Sequence, residues 1–357
     1  MGLCRTQPGD FFMSFLQQEI AEQPEVISRL LHQEAETVRK IVSAIREFNP
    51  TFVSIAARGT SDNAARYAQY LLGIHARLAV ALATPSIHTL YGSAPNFSRA
   101  LVIGISQSGE APDVAQVVHD ARAQGALTVC ITNYPDSLMA QAAHFHLALR
   151  AGEEQSVAAT KTYTAELTTI AMLVSELTGS PELREGLSHI PALARQTVAY
   201  SQSVMDWVER YRYIDQFVGI GRGYNYCTAI EVSLKVQELC TVPAHGYSEA
   251  DFLHGPVAVV QPGFPVMVVA PTGKASPPIR EFLARVRDRR AESLVISDDV
   301  QVLGGATKGM RLPANLPEWL SPIAAVIPGQ VFAMGLAAAK GNPLDKPIGL
   351  TKVTRTR

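Results

Sequence analysis

Short apolar runs alternate with amphipathic stretches along most of the chain. Residues 51–57 form one run, and residues 61–73 follow with Ala64, Ala65, Ala68, Leu71 and Leu72 at helical spacing. Leu101-Val102-Ile103-Gly104-Ile105 is another run, and residues 113–124 follow with Val114, Val117, Val118 and Ala121 on one face. Continuous apolar strands alternating with such helices predict a parallel sheet covered on both faces. Residues 10–48 have helical periodicity and no strand pattern, and are read as a helical lead-in. The stretch around 178–200, broken by Gly179, Pro181 and Pro191, predicts a partly helical connector. Residues 322–340 read as a buried helix, and residues 342–357 as a polar tail without strong periodicity. In this reading no apolar run reaches the length of a membrane span.

The same pattern occurs twice. FVSIAARG at 52–59 matches FVGIGRG at 217–223, and the runs before SQSGE at 106–110 and APTGK at 270–274 match in turn. Gly59 to Gly223 and Gly109 to Gly273 are both 164 residues apart. LTVCITN at 127–133 and SLVISDD at 293–299 keep nearly this offset. Three matched strands in order predict a tandem duplication, in agreement with the two domains that 357 residues suggest.

Composition narrows the class. Hydrophobic residues make up 47% and charged residues 18%, enough to build a large core and too apolar for disorder. The formal net charge of −1 leaves no field that would draw a nucleic acid. Cys4, Cys130, Cys227 and Cys240 show no C-x-x-C spacing, which fits a reducing, cytoplasmic setting and no structural zinc. The N-terminus lacks the basic-then-apolar order of a secretory signal. Met1-Gly2-Leu3-Cys4-Arg5-Thr6 fits the short myristoylation pattern, a match that chance accounts for.

Ligands of open parallel sheets bind beyond the carboxyl ends of strands. Two first-half loops, Arg58-Gly59-Thr60-Ser61 and Ser106-Gln107-Ser108-Gly109, join a buried strand to a helix there. Both offer hydroxyls, backbone N–H groups and a helix start, a combination suited to phosphate. Either loop alone would read as ordinary capping. The second-half counterpart, Ala270-Pro271-Thr272-Gly273-Lys274, keeps one hydroxyl, so a single phosphate site is expected, in the first half. Neither a Walker motif nor G-x-G-x-x-G is present, which disfavours a nucleotide. On the helix expected at 228–240, Glu231, Lys235 and Glu238 fall within roughly 60° of one another. Periodicity leaves two readings even: a solvated salt-bridge face, or a charged stripe facing a polar cleft with a carboxylate as general base. His144-x-His146 makes a poor metal site. His245 and His254 flank an irregular polar stretch, AHGYSEADFLHGP, and His254 carries some functional weight.

In order, GTS at 59–61, SQSGE, SVAATKT at 156–162, the E-x-x-x-K-x-x-E of 231–238, HGP at 254–256 and Lys352 resemble the sugar isomerase (SIS) family. The resemblance covers nearly the whole chain and is strongest to the isomerase half of glucosamine-6-phosphate synthase and its relatives without the amidotransferase half. It implies an α/β fold of two tandem SIS domains, each a parallel sheet flanked by helices as a flavodoxin-like αβα sandwich. The expected parts are a lead-in at 1–48, domains at 49–190 and 191–340, and a tail at 341–357.

The resemblance also implies roles. Gly59, Thr60, Ser61, Ser106, Gln107 and Ser108 would hold a sugar phosphate, and Val157 and Ala159 would meet the sugar through their backbone. Glu238 would shuttle a proton between C1 and C2, with Glu231 and Lys235 assisting. His254 would open the ring from the partner subunit of a homodimer. Lys352 would form or assist an imine with the open-chain sugar. No metal or nucleotide is implied. Ala111 stands where the synthase has threonine, Ala159 where it has serine, and too few residues precede the first strand for a glutaminase. These departures, with the closing LTKVTRTR, resemble glucosamine-6-phosphate deaminases of the SIS type. The expected activity is release of ammonia and fructose 6-phosphate from glucosamine 6-phosphate. The alternatives are a fructosamine-6-phosphate deglycase, a galactosamine-6-phosphate deaminase and a non-catalytic sugar-phosphate sensor.

Overall fold

A computed structural model describes residues 13–352. Met1 to Cys4 and the myristoylation match lie outside the described residues. Two five-stranded sheets, all parallel, make up the frame. The first contains β1 (Phe52–Ala56), β2 (Val80–Leu82), β3 (Ala100–Ile105), β4 (Leu127–Thr132) and β5 (Phe145–Ala148), in the order β2-β1-β3-β4-β5. The second contains β6 (Phe217–Gly221), β7 (Ala244–Ser248), β8 (Pro265–Val269), β9 (Glu292–Ser297) and β10 (Lys308–Arg311), in the order β10-β9-β8-β6-β7. Read from the other edge, the second order repeats the first, which is the flavodoxin-like winding. All six residues of β3 and of β4 are buried, as strands covered on both faces require. The short edge strand β10, Lys-Gly-Met-Arg, had no apolar run to announce it.

One apolar core joins the two halves. Leu16, Ile27 and Leu30 of the lead-in pack in it with Tyr163, Val232 and the Ser321–Lys340 helix. Smaller clusters cover the outer faces of the sheets, around Val102 and Val118 in one half and Val268 and Phe282 in the other. The lead-in is two helices, Phe15–Gln33 and Ala35–Phe48, hinged at Glu34. Its buried carboxylate accepts a hydrogen bond from Arg150 Nε at 2.6 Å.

Three expectations change. The connector is fully helical from Pro181 to Ser201: Ser180 caps it, Pro181 occupies its first turn, and Pro191 is accommodated inside. The stretch from Ala244 is not irregular throughout, because it opens with β7 and continues as a helical turn, Glu249–Leu253. Its little apolar character hid a strand that pairs with β6 over five residues. Finally, residues 318–340 are long and apolar enough to cross a membrane, with mean hydropathy 1.6. That segment is 89% buried inside the protein, so its apolarity is that of a core helix.

Candidate active site

The two phosphate-type loops leave β1 and β3, the neighbouring strands at which the winding reverses direction. They border a cavity of about 350 Å³. Gly109 is required twice over: its φ is 68°, and a Cβ there would lie 2.2 Å from Ser137 Oγ. Around it the loop braces itself, Gly109 N donating to Ser106 Oγ at 3.1 Å and Glu110 N to Ser108 Oγ at 3.3 Å. The loops are tied together by Arg58, whose Nε and Nη2 both reach Asp113 Oδ2 at 2.8 Å. Asp113 is buried at the start of the Pro112–Ala123 helix, while Arg58 stays half exposed at the cavity wall.

The second wall comes from the other half. The Tyr226–Cys240 helix lies unusually close to β6 and β7 because glycines face it. A Cβ on Gly219 would be 2.6 Å from Ala229 O, and one on Gly246 would be 2.4 Å from Ile230 Cα. This approach buries the helix on nearly all sides, and Glu231 and Lys235 are 0% and 1% exposed. A solvated salt-bridge face is therefore excluded. Lys235 Nζ lies 3.4 Å from Glu231 Oε1, pairs closely with Glu238 and donates to Thr60 Oγ1 at 3.3 Å. Glu231 also accepts from Thr60 Oγ1 at 3.1 Å and Asn63 Nδ2 at 2.8 Å. Glu238 borders the cavity, and the other two stand behind it. Burial, partly offset by Lys235, pushes Glu231 up to about 7. Burial would depress Lys235, but Glu238 and Glu231 outweigh it and hold the ammonium well above its ordinary value.

Val157 and Ala159 form the third wall with Leu350, Thr351 and Lys352 of the tail. Lys352 Nζ contacts Glu154 Oε2 at 3.0 Å and donates to Ser156 O at 2.5 Å. Glu154 is buried and also accepts from Thr160 N, Thr162 N and Thr162 Oγ1, anchoring the tail at the start of the Lys161–Thr178 helix. Asp345 fastens the tail elsewhere, through Val157 N to its carbonyl at 3.0 Å and Leu16 N to its carboxylate at 2.9 Å. Glu19 of the lead-in accepts from Gln155 N and Ser156 N, and burial together with Glu154 lifts it to about 7.

The cavity thus gathers Gly59, Thr60, Ser61, Ser106, Gln107, Ser108, Val157, Ala159, Glu238 and Lys352 from the residues singled out in the sequence. His254 is absent from its lining: it ends the Glu249–Leu253 turn and is exposed. His144 and His146 bond Thr128 Oγ1 and Thr132 O instead of facing each other. Sequence reasoning missed Glu154, Thr162 and Glu166, which sit in or beside the cavity. Only Glu166 gave a signal, as a lone acid in a helix that is otherwise buried and uncharged from Thr162 to Ser175.

The second half holds the counterpart of this anion cradle, already filled. Glu318 Oε2 accepts from Lys274 N at 2.9 Å and Glu318 Oε1 from Ala275 N at 3.0 Å. Gly273 makes room, since a Cβ there would sit 2.2 Å from Glu318 Cδ.

These features define a duplicated, doubly wound α/β protein with one open polar pocket at the switch point of its first sheet. The SIS domain family matches twice, at residues 52–176 and 214–339, and the chain belongs to that family. It is 31% identical over 343 residues to glutamine–fructose-6-phosphate aminotransferase (isomerizing) of Pyrococcus horikoshii, covering 95% of this chain and 57% of that protein. The chain therefore spans little more than half the length of that relative. Its fold superposes on the C-terminal domain of glucosamine-fructose-6-phosphate aminotransferase from Francisella tularensis with TM-score 0.85, at 24% identity, over 96% of this chain and 100% of that one. It superposes on glucosamine-6-phosphate deaminase from Thermotoga maritima with TM-score 0.77, at 19% identity, over 96% and 100%.

Proposed function

We propose that the protein is a deaminating aldose–ketose isomerase that converts glucosamine 6-phosphate and water into fructose 6-phosphate and ammonia. The observation that carries this reading is the single cavity onto which the hydroxyls of both phosphate-type loops, Glu238 and Lys352 all open. The deaminating direction is supported by the likeness to the Thermotoga maritima deaminase, whose chain is covered over its whole length.

In this reading the phosphate takes the N–H and hydroxyl groups of the two loops, which places C1 and C2 of the opened sugar toward Glu238. The Glu238 carboxylate removes the proton on C2, and the C–H electron pair forms the C1–C2 double bond while charge develops on O1. The Lys352 ammonium neutralises that charge by protonating O1, and its proton is made good from the C2 amine as the imine forms. The carboxyl returns the proton to C1, leaving a C2 imine. Water adds to C2, the C–N bond breaks, ammonia leaves and the ketone remains. Lys235, in contact with Glu238, holds the base in position. His254 opens the ring from the partner subunit of a homodimer, the role that suits an exposed histidine outside the pocket of its own chain.

A coupled assay for ammonia and fructose 6-phosphate tests the reading. Wild type is expected to release both in equal amounts, and Glu238→Gln to lower kcat by about 10²–10⁴-fold. Binding of glucosamine 6-phosphate without ammonia release would refute it. Amine release from fructosamine 6-phosphates alone would replace the deaminase with a deglycase.

A further inference from the structure

We propose that Glu166 is a positioning residue for the substrate's phosphate: as a neutral carboxylic acid it donates to Ser61 and so turns the Ser61 hydroxyl toward the anion. The proposal deepens the function above and rests on it for the class of ligand.

Glu166 projects from the Lys161–Thr178 helix to the cavity floor and is 1% exposed. Its Oε1 lies 2.7 Å from Ser61 Oγ, and its Oε2 is buried with no hydrogen-bond partner among the described residues. The charged groups around it are Glu231, Lys235 and Glu238 from the Tyr226–Cys240 helix, and Glu154 from the loop before its own helix. Lys352 of the tail and Glu19 of the lead-in flank Glu154. The nearby ammonium groups are committed: Lys235 to Glu231 and Glu238, Lys352 to Glu154, and Lys161 to Glu22. An ionised Glu166 would be a buried carboxylate facing three others with one oxygen unsatisfied, an arrangement that favours the neutral form. Consistently, burial, opposed by the Ser61 bond and reinforced by Glu231 and Glu154, pushes Glu166 up to about 8.

The direction of one hydrogen bond decides what the phosphate meets. A carboxylate only accepts, so with Glu166 ionised the Ser61 proton is spent on it, and lone pairs face the anion. With Glu166 protonated the bond reverses, and the Ser61 O–H is free to donate into the cavity. An ionised Glu166 also repels the dianion. Phosphate binding and protonation of Glu166 should therefore be linked, each favouring the other.

The test is calorimetric binding of fructose 6-phosphate, which has no amine to titrate, from about pH 6.5 to about pH 9.5, bracketing the value of Glu166. For wild type the association constant should fall above pH 8 with a slope approaching about tenfold per pH unit. In Glu166→Gln the amide N–H donates to Ser61 without titrating, and the constant should stay within about twofold across this range, where wild type would lose more than tenfold. Ser61→Ala should bind weakly and show a shallower alkaline fall, because only the repulsion by an ionised Glu166 remains. A fall as steep in Glu166→Gln as in wild type overturns the proposal, and so does a flat wild-type profile. Should Glu166→Gln not fold by circular dichroism, a shallower alkaline fall in Ser61→Ala than in wild type supports the proposal, and an equally steep fall in both overturns it. Absence of binding at every pH overturns the sugar-phosphate reading and this proposal with it.

Discussion

Lys235→Met would remove the only cation in direct contact with Glu231 among the described residues while keeping most of the lysine's volume. At 3.4 Å and an effective dielectric of about 20, the attraction lost is about 5 kcal/mol. Both groups are completely buried, so screening by solvent is slight, and breaking such a pair typically costs about 3–5 kcal/mol. Thr60 and Asn63 remain as donors to the carboxylate and hold the loss toward the lower figure. The loss depends on pH in a direction that can be worked out. Glu231 has its folded value raised to about 7, so its contribution to stability is complete below the unfolded value of 4.5 and declines as pH rises toward 7. Without Lys235 the folded value climbs further, and the decline continues above pH 7 in the variant alone. Near pH 5.5 Glu231 is mostly neutral in both folded proteins, so the contact of Lys235 with Glu238 is the main interaction the variant loses there. Urea unfolding followed by circular dichroism should show a loss of about 3 kcal/mol or more at pH 8.5 and a clearly smaller one at pH 5.5. An equal loss at both pH values, or one below about 1 kcal/mol at pH 8.5, would refute an account that rests on the buried ion pair.

Two further outcomes follow from the site and its counterpart. If His254 serves the partner's pocket, mixing inactive His254→Ala with inactive Glu238→Gln after subunit exchange should restore about a quarter of wild-type activity, as one intact site in two mixed dimers of four predicts. No recovery despite proven exchange would count against the shared site. Glu318→Ala should destabilise the second half by about 1–3 kcal/mol, because two backbone N–H groups lose a charged acceptor. Inorganic phosphate should recover part of this in the variant only, and a loss below about 0.5 kcal/mol would show the contact to be incidental.

Much of the fold was legible because its strands are buried on both faces. Runs such as Leu101 to Ile105 need no alternation to be recognised, and the repeat exposed the second sheet through its likeness to the first. β7 was hidden because its sequence, Ala-His-Gly-Tyr-Ser, has little apolar character. Gly246 admits the backbone of Ile230, and larger side chains there would push the Tyr226–Cys240 helix off the sheet. The Glu-Lys-Glu stripe was visible as a stripe, but periodicity says which residues share a face and not what the face meets. A helix covered on nearly every side has no polar side to infer. Lys352 had no local signal, and only the ordered motifs of the resemblance singled it out before its contacts with Glu154 and Ser156 were seen. Glu166 stood out only as a lone acid in an uncharged stretch, and its significance lies in a contact with Ser61, 105 residues away.

The duplication explains why, among the described residues, the loops of one half border an open cavity while those of the other are filled. Both sheets reverse direction at equivalent strands, and both present backbone N–H groups where an anion could rest. In the second half that place is taken by Glu318, whose turn leads directly into the Ser321–Lys340 core helix. Filling the cradle with an internal carboxylate satisfies its donors permanently and ties the loop after β8 to the core. The second half is then free to turn a different face, the Tyr226–Cys240 helix, toward the first half. Thr60 marks where the two duties meet, since its hydroxyl lies on a phosphate-type loop yet bonds both Glu231 and Lys235. The position of the Tyr226–Cys240 helix relative to the phosphate-type loops is thus set by hydrogen bonds across the boundary between the repeats, which neither repeat could supply alone.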